Sequence, residues 1–134
     1  MTPISISAIR RASQRLQQGG AVLTGIDRPL QDEKYHPRFF GKPAALPVSH
    51  IRMAIKVGVP ITVVACQMKP GGRYQLKVSE PIWMQRFADL VEETERNAER
   101  ILSVVETWIR ETPEQWSMTY PVWPEILQEM KERI

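Results

Sequence analysis

The run "PITVVAC", from Pro60 to Cys66, constrains this chain more than any other stretch. Six apolar or β-branched residues in a row, opened by proline, have the length and composition of a strand. A strand without polar alternation reads as buried on both faces, which is the habit of parallel sheets. The residues around it fit that reading. "AVLTGID" at 21–27 reads as an earlier strand over 21–26. Between the two, Pro47 opens a helix over 47–57 with Val48, Ile51, Ala54 and Ile55 on one face and Gly58 at its end. Strand, helix and strand make a βαβ crossover.

The hairpin signal comes next. Lys69-Pro70-Gly71-Gly72 is a turn, and beyond it Tyr74, Leu76 and Val78 alternate with Arg73, Gln75 and Lys77. The longest helix starts at Asp89, with Glu92 three residues on as in a capping box, and carries Leu90, Thr94, Ala98, Ile101, Leu102, Val105 and Trp108 as its stripe until Pro113. A short helix follows from Pro124. An N-terminal helix with Ile6, Ile9 and Leu16 on one face closes at Gly19-Gly20. The expected fold is α/β, with an open, mixed, mostly parallel sheet containing the βαβ crossover, a β-hairpin and a long C-terminal helix. At 134 residues this is a single domain, 1–134. The strands are too few to cover every sheet face and edge, so the chain reads as part of something larger.

Composition removes several classes. Hydrophobic residues are 43% and charged residues 25%, which excludes a disordered chain. The net charge of +3, with aromatics not interleaved among the basic residues, argues against a nucleic-acid binder. The basic excess lies in residues 1–80 and the glutamates cluster over 89–106, so an anionic ligand and a solvated face both remain open. No stretch approaches the run of about 20 apolar residues that spans a bilayer. Cys66 is the sole cysteine, reads as a small buried hydrophobe, and suits a reducing compartment.

Chemistry is scarce. His36 and His50 stand apart from clustered carboxylates or cysteines, so neither metal nor cofactor is expected. Glycines 19–20 and 71–72 end a helix and turn a hairpin, and neither pair opens a phosphate loop. No serine sits in a nucleophile elbow. No catalytic residue is assigned. "EQWSMTYPVWPEI" reads as an aromatic cover for the core, with an interfacial belt as the alternative.

Three stretches, "QQGGAVLTGIDRPL", "RFFGKPAALPVSHIRMAIKVGVPITVVACQMKPGGRYQLKV" and "AERILSVVETWIRETPEQW", resemble in order and spacing the C-terminal half of the bacterial lipid A biosynthesis (lauroyl/myristoyl) acyltransferases, within the lysophospholipid acyltransferases. The resemblance implies fatty acyl transfer from acyl carrier protein or coenzyme A to a lipid hydroxyl. It implies a site at the peripheral, inner face of the plasma membrane in the cytoplasm. The family's catalytic base is a histidine followed, after four residues, by an acid. Here His36 is followed at that spacing by Gly41 and His50 by Ile55. The chain therefore reads as the half that lacks the catalytic motif, inactive alone, with a complementary N-terminal half or a second copy as partner. Tyr120, Pro121 and Val122 stand where the family carries basic residues.

The resemblance also places substrate-binding residues in the proline-punctuated loop 29–46 and just before it. Asp27, Arg28, Arg38, Phe39, Phe40, Gly41 and Lys42 would line the mouth of the acyl groove, with the cations toward an anionic group. For Phe39 and Phe40 the residues alone support a second role, anchoring a long loop to the core. The rival function is a non-catalytic lipid- or partner-binding module that self-associates through its sheet edge.

Overall fold

The computed structural model describes residues 5–30 and 34–133. Its spine is the long helix, along which both clusters of the hydrophobic core are packed. In chain order come α1 (Ile6–Gln17), β1 (Arg38–Phe39), β2 (Lys42–Pro43), α2 (Ser49–Val57), β3 (Val64–Lys69), β4 (Arg73–Val78), α3 (Leu90–Glu111), a 3₁₀ turn at Pro113–Gln115, and α4 (Pro124–Glu132). The α/β class, the hairpin and the long helix are all present.

Local chemistry explains most boundaries. Asp89 caps α3 by accepting the Glu92 N–H at 2.8 Å. Ser5 does the same for α1 through the Ala8 N–H. Gly58, at φ 75, ends α2 and donates its N–H to the Ala54 carbonyl at 2.8 Å. Gly71 and Gly72 both take positive φ, which lets two strands meet across a tight turn.

One side of α3 holds Ala98 and Ile101 against Tyr35, Val48, Ile51 and Val63; the other sets Leu102 against Phe39, Ala44, Leu46 and Val122. Two buried polar residues on α3 are satisfied locally. Asn97 accepts the Gln85 N–H and donates to the Gln85 and Glu93 carbonyls. Glu93 accepts the Phe87 N–H at 2.9 Å and pairs with Arg86 at 3.0 Å. Together they pin the segment leading into the helix.

Three expectations are corrected. Residues 21–26 form no strand, and among the described residues both sheets, β1–β2 and β3–β4, are two-stranded and antiparallel. The parallel sheet and the βαβ crossover are therefore not formed. One edge of β3 is taken by β4; on the other, at Met68 alone, the Gln115 carboxamide accepts the Met68 N–H at 2.8 Å and donates to the Met68 carbonyl at 3.0 Å, and residues 21–26 make no backbone pairing with it. Leu23, left without a neighbour, is 92% exposed. Finally, Cys66 is exposed rather than buried, because β3 is covered on one face only.

Candidate functional site

The segment from Tyr35 to Leu46 is a strap laid along α3. Its extended part alternates strictly: Tyr35, Pro37 and Phe39 are buried, while His36 and Arg38 are exposed. The N–H groups of alternate residues need acceptors, and α3 supplies them as side chains. His36 N–H donates to Glu95 Oε1 at 3.0 Å, Arg38 N–H to Glu99 Oε1 at 3.0 Å, and Phe40 N–H to Glu106 Oε1 at 2.7 Å. A row of carboxylates thus does for the strap what a sheet edge does for a strand.

The strap then doubles back. Phe40 at φ 50 and Gly41 at φ 76 form a two-residue turn with both residues left-handed, the geometry of a type I′ hairpin. Arg38 Nη1 donates to the Gly41 carbonyl at 3.1 Å across that turn. The left-handed backbone at Phe40 is unfavourable for a residue with a bulky side chain. The Glu106 bond and the Arg110 guanidinium, 4.8 Å from the Phe40 ring centre, hold it there.

Phe39 is wholly buried. Its ring stacks on Trp123 at 5.9 Å, meets Trp116 edge-on at 5.7 Å, and lies 4.7 Å from Phe40. Trp123 Nε1 donates to the Phe39 carbonyl at 3.0 Å. Anchoring is thus an observed role of Phe39, while Phe40 keeps part of its ring open.

Behind this aromatic cluster lies a cavity of about 330 Å³, bounded by residues 24–27, β3 and the last turns of α3. Its walls are mainly apolar, with Val63, Val105, Trp108, Ile109 and Trp116; Asp27 and Lys77 stand among the polar groups that line it. Lys77 pairs with Glu111 and lies 5.7 Å from the Trp108 ring centre. A larger hollow, about 540 Å³, sits at the hairpin turn between Met68–Gly72 and Thr112–Gln115 and holds none of the residues picked from sequence.

The seven predicted residues therefore fall into two groups. Arg38, Phe39, Phe40, Gly41 and Lys42 share the strap hairpin, where Arg38, Gly41 and Lys42 are exposed. Asp27 and Arg28 form an exposed bend, and Asp27 borders the cavity. Trp116 joins the groups, since it touches both Phe rings and lines the cavity. Trp108 and Trp116 were not singled out as binding residues. The signal was there, in the "WIRETPEQW" stretch that both terminate.

No imidazole is hydrogen-bonded to a carboxylate among the described residues, and no group of three or more metal-ligating side chains occurs there. His36 is exposed, and only its backbone meets Glu95. Burial lowers the His50 pKa to about 4, and its Nδ1 has no partner among the described residues.

A model of the bacterial lipid A biosynthesis acyltransferase family matches residues 3–124. The chain belongs to that family. No curated protein matches it. In this acyltransferase-family chain the matched span includes the strap, every wall of the cavity and the Gln115 clasp, and it ends as α4 begins.

Proposed function

We propose that this chain forms the C-terminal portion of a lipid acyltransferase, folded as one domain, that supplies part of the acyl-binding pocket and no general base. The observation that carries this reading is the apolar cavity of about 330 Å³ behind Trp116, in a chain of this family with no imidazole–carboxylate pair among its described residues. Its volume falls in the ordinary range for small-molecule sites, and its walls suit a hydrocarbon chain. In the transfer, an acceptor hydroxyl loses its proton to a base, its oxygen attacks the thioester carbonyl of acyl carrier protein or coenzyme A, and the thiolate leaves and is protonated. This chain's residues hold the acyl chain. Phe40 borders the groove, and Arg28 and Lys42 face the anionic part of donor or acceptor. The base comes from a histidine–carboxylate pair outside these residues. The reaction takes place at the cytoplasmic face of the membrane; no helix of the described residues is long and apolar enough to cross one.

The test is reconstitution. Alone, the chain transfers no acyl group from a radiolabelled acyl donor. Mixed with a polypeptide carrying the family's His-x4-Asp/Glu motif, it restores transfer, and Trp108→Ala lowers the restored rate. Transfer that is never restored, or that ignores Trp108→Ala, overturns the reading. The second reading, a non-catalytic partner-binding module, is favoured by one observation, the uncovered face of the β3–β4 hairpin.

A further inference from the structure

The free edge of β3 borders the cavity behind Trp116, and its hydrogen-bonding groups are partly unspent. Along an antiparallel strand, the N–H and C=O of alternate residues face opposite edges. Ser79 donates its N–H to the Val63 carbonyl, so Val63, Ala65 and Gln67 face β4. Val64, Cys66 and Met68 then face the other edge. At Met68 the Gln115 carboxamide makes both bonds, at 2.8 and 3.0 Å. Val64 and Cys66 have no backbone partner on that edge among the described residues, although residues 24–27 line the same cavity. Their side chains lie on the hairpin's exposed face, so they border the cavity along the strand edge. A further unspent group is on Gln67, which is 5% exposed and also lines the cavity. Its Nε2 donates to Thr112 at 2.9 Å, while its Oε1 has no partner among the described residues. A buried acceptor is costly until something supplies a donor. Hydrocarbon supplies none.

We propose that the slot along Val64 and Cys66 seats the amide-bearing pantetheine arm of the acyl donor, with the acyl chain running on between Val105, Trp108, Ile109 and Trp116. The identity of the arm rests on the acyl-transfer reading, since acyl carrier protein and coenzyme A both present their thioester on pantetheine. That arm is a linear chain with two secondary amides. Laid along the edge, it donates N–H groups to the strand carbonyls and accepts from the strand N–H groups, as an added strand does. Its size matches what is open. β3 spans Val64–Lys69 and Gln115 closes the edge at Met68, so two positions of the strand remain, about 6.6 Å apart. A peptide strand of about five or six residues overruns that length; an arm with two amides does not. Gln67 Oε1 accepts from an N–H or the hydroxyl of the same arm. A fatty acid alone would leave all of these groups unpaired.

The test keeps the full chain unaltered and varies the ligand. Dodecanoyl-pantetheine and dodecanoate are titrated by tryptophan fluorescence, since Trp108 and Trp116 line the cavity. Hydrogen exchange at single amides is followed by NMR in the same samples. The thioester should bind about tenfold more tightly than the fatty acid, as befits several added hydrogen bonds. At saturation it should slow exchange of the Val64 and Cys66 N–H groups by about tenfold or more. Ala65 and Gln67, already bonded to β4, should change little. A dodecanoyl-pantetheine methylated at both amide nitrogens should fall to the affinity of dodecanoate. Equal binding of thioester and fatty acid overturns the assignment and leaves the acyl pocket standing. So does thioester binding without protection at Val64 and Cys66, or undiminished binding of the methylated analogue. If neither the thioester nor dodecanoate binds, the acyl pocket falls and the assignment with it.

Discussion

The strap and the β3–β4 hairpin are both antiparallel turns of chain laid against α3, yet they dispose of their side chains in opposite ways. The strap turns Tyr35, Pro37 and Phe39 inward and delivers its N–H groups to Glu95, Glu99 and Glu106. The hairpin turns Gln67 and Lys77 inward and leaves Val64, Met68, Tyr74, Leu76 and Val78 in the open. The difference teaches that the strap is completed by this chain and the hairpin is not. A segment that buries its apolar residues and satisfies its backbone is stable where it stands, whereas an apolar face is stable only when something covers it. The strongest test of the contrast is truncation on each side. Phe39→Ala removes a fully buried ring and should cost about 3–5 kcal/mol. Leu76→Ala, at protein concentrations too low for association, should change stability by no more than about 0.5 kcal/mol. Denaturant melts of both variants check the ranking; equal losses would erase the distinction.

What the sequence made legible follows the same line. Asp89, Gly58 and the Gly71-Gly72 turn act within a few residues of themselves, so α3, α2 and the hairpin could be placed from local chemistry. Burial is not local. "PITVVAC" has the composition of a strand covered twice, yet Thr62, Val64 and Cys66 lie exposed, because composition cannot say whether a second layer is present. The strand expected over 21–26 failed for want of a neighbour, which no property of its own residues reveals. In the candidate site, the Phe-Phe-Gly turn and the tryptophans were visible as residues. The carboxylate row was visible only as a glutamate-rich stretch, since its purpose depends on a segment some sixty residues earlier in the chain.

Burial in the strap's half of the molecule extends to a titratable group, and this yields a second test. His50 precedes the buried Ile51 on α2, and its pKa falls from 6.5 to about 4 through burial. The folded state thus binds fewer protons than the unfolded one between those values. Stability from this source is complete above about pH 6.5 and is lost as pH falls toward 4, with a total on the order of 3 kcal/mol. In chemical melts at a series of pH values, His50→Leu should flatten the slope in that window. An unchanged slope would place the imidazole in water and weaken the contrast between the two regions.

The carboxylate row can be tested one bond at a time. Glu106→Ala leaves the part-buried Phe40 N–H without its acceptor and should cost about 1–3 kcal/mol. Glu106→Gln keeps an oxygen at the same reach and should recover most of that loss. If alanine and glutamine behave alike in denaturant melts, the carboxylate row is not what holds the strap.

The smallest effect is the most specific, and it concerns Phe40. Alanine at φ 50 keeps the left-handed backbone penalty and loses the ring contacts with Arg110 and Trp116; glycine loses the same contacts and removes the penalty. Phe40→Gly should therefore be more stable than Phe40→Ala by about 1 kcal/mol, the reverse of their usual order at an ordinary position. At Leu76, in the regular extended backbone of β4, the same pair of substitutions should keep the usual order, with glycine the weaker. Melts of the four variants separate a turn strained into place by its own contacts from a strand whose outward side chains lie open. A glycine variant weaker than alanine at both positions would mean that Phe40 carries no backbone strain, and the strap would lose the feature that sets its turn apart from the hairpin's.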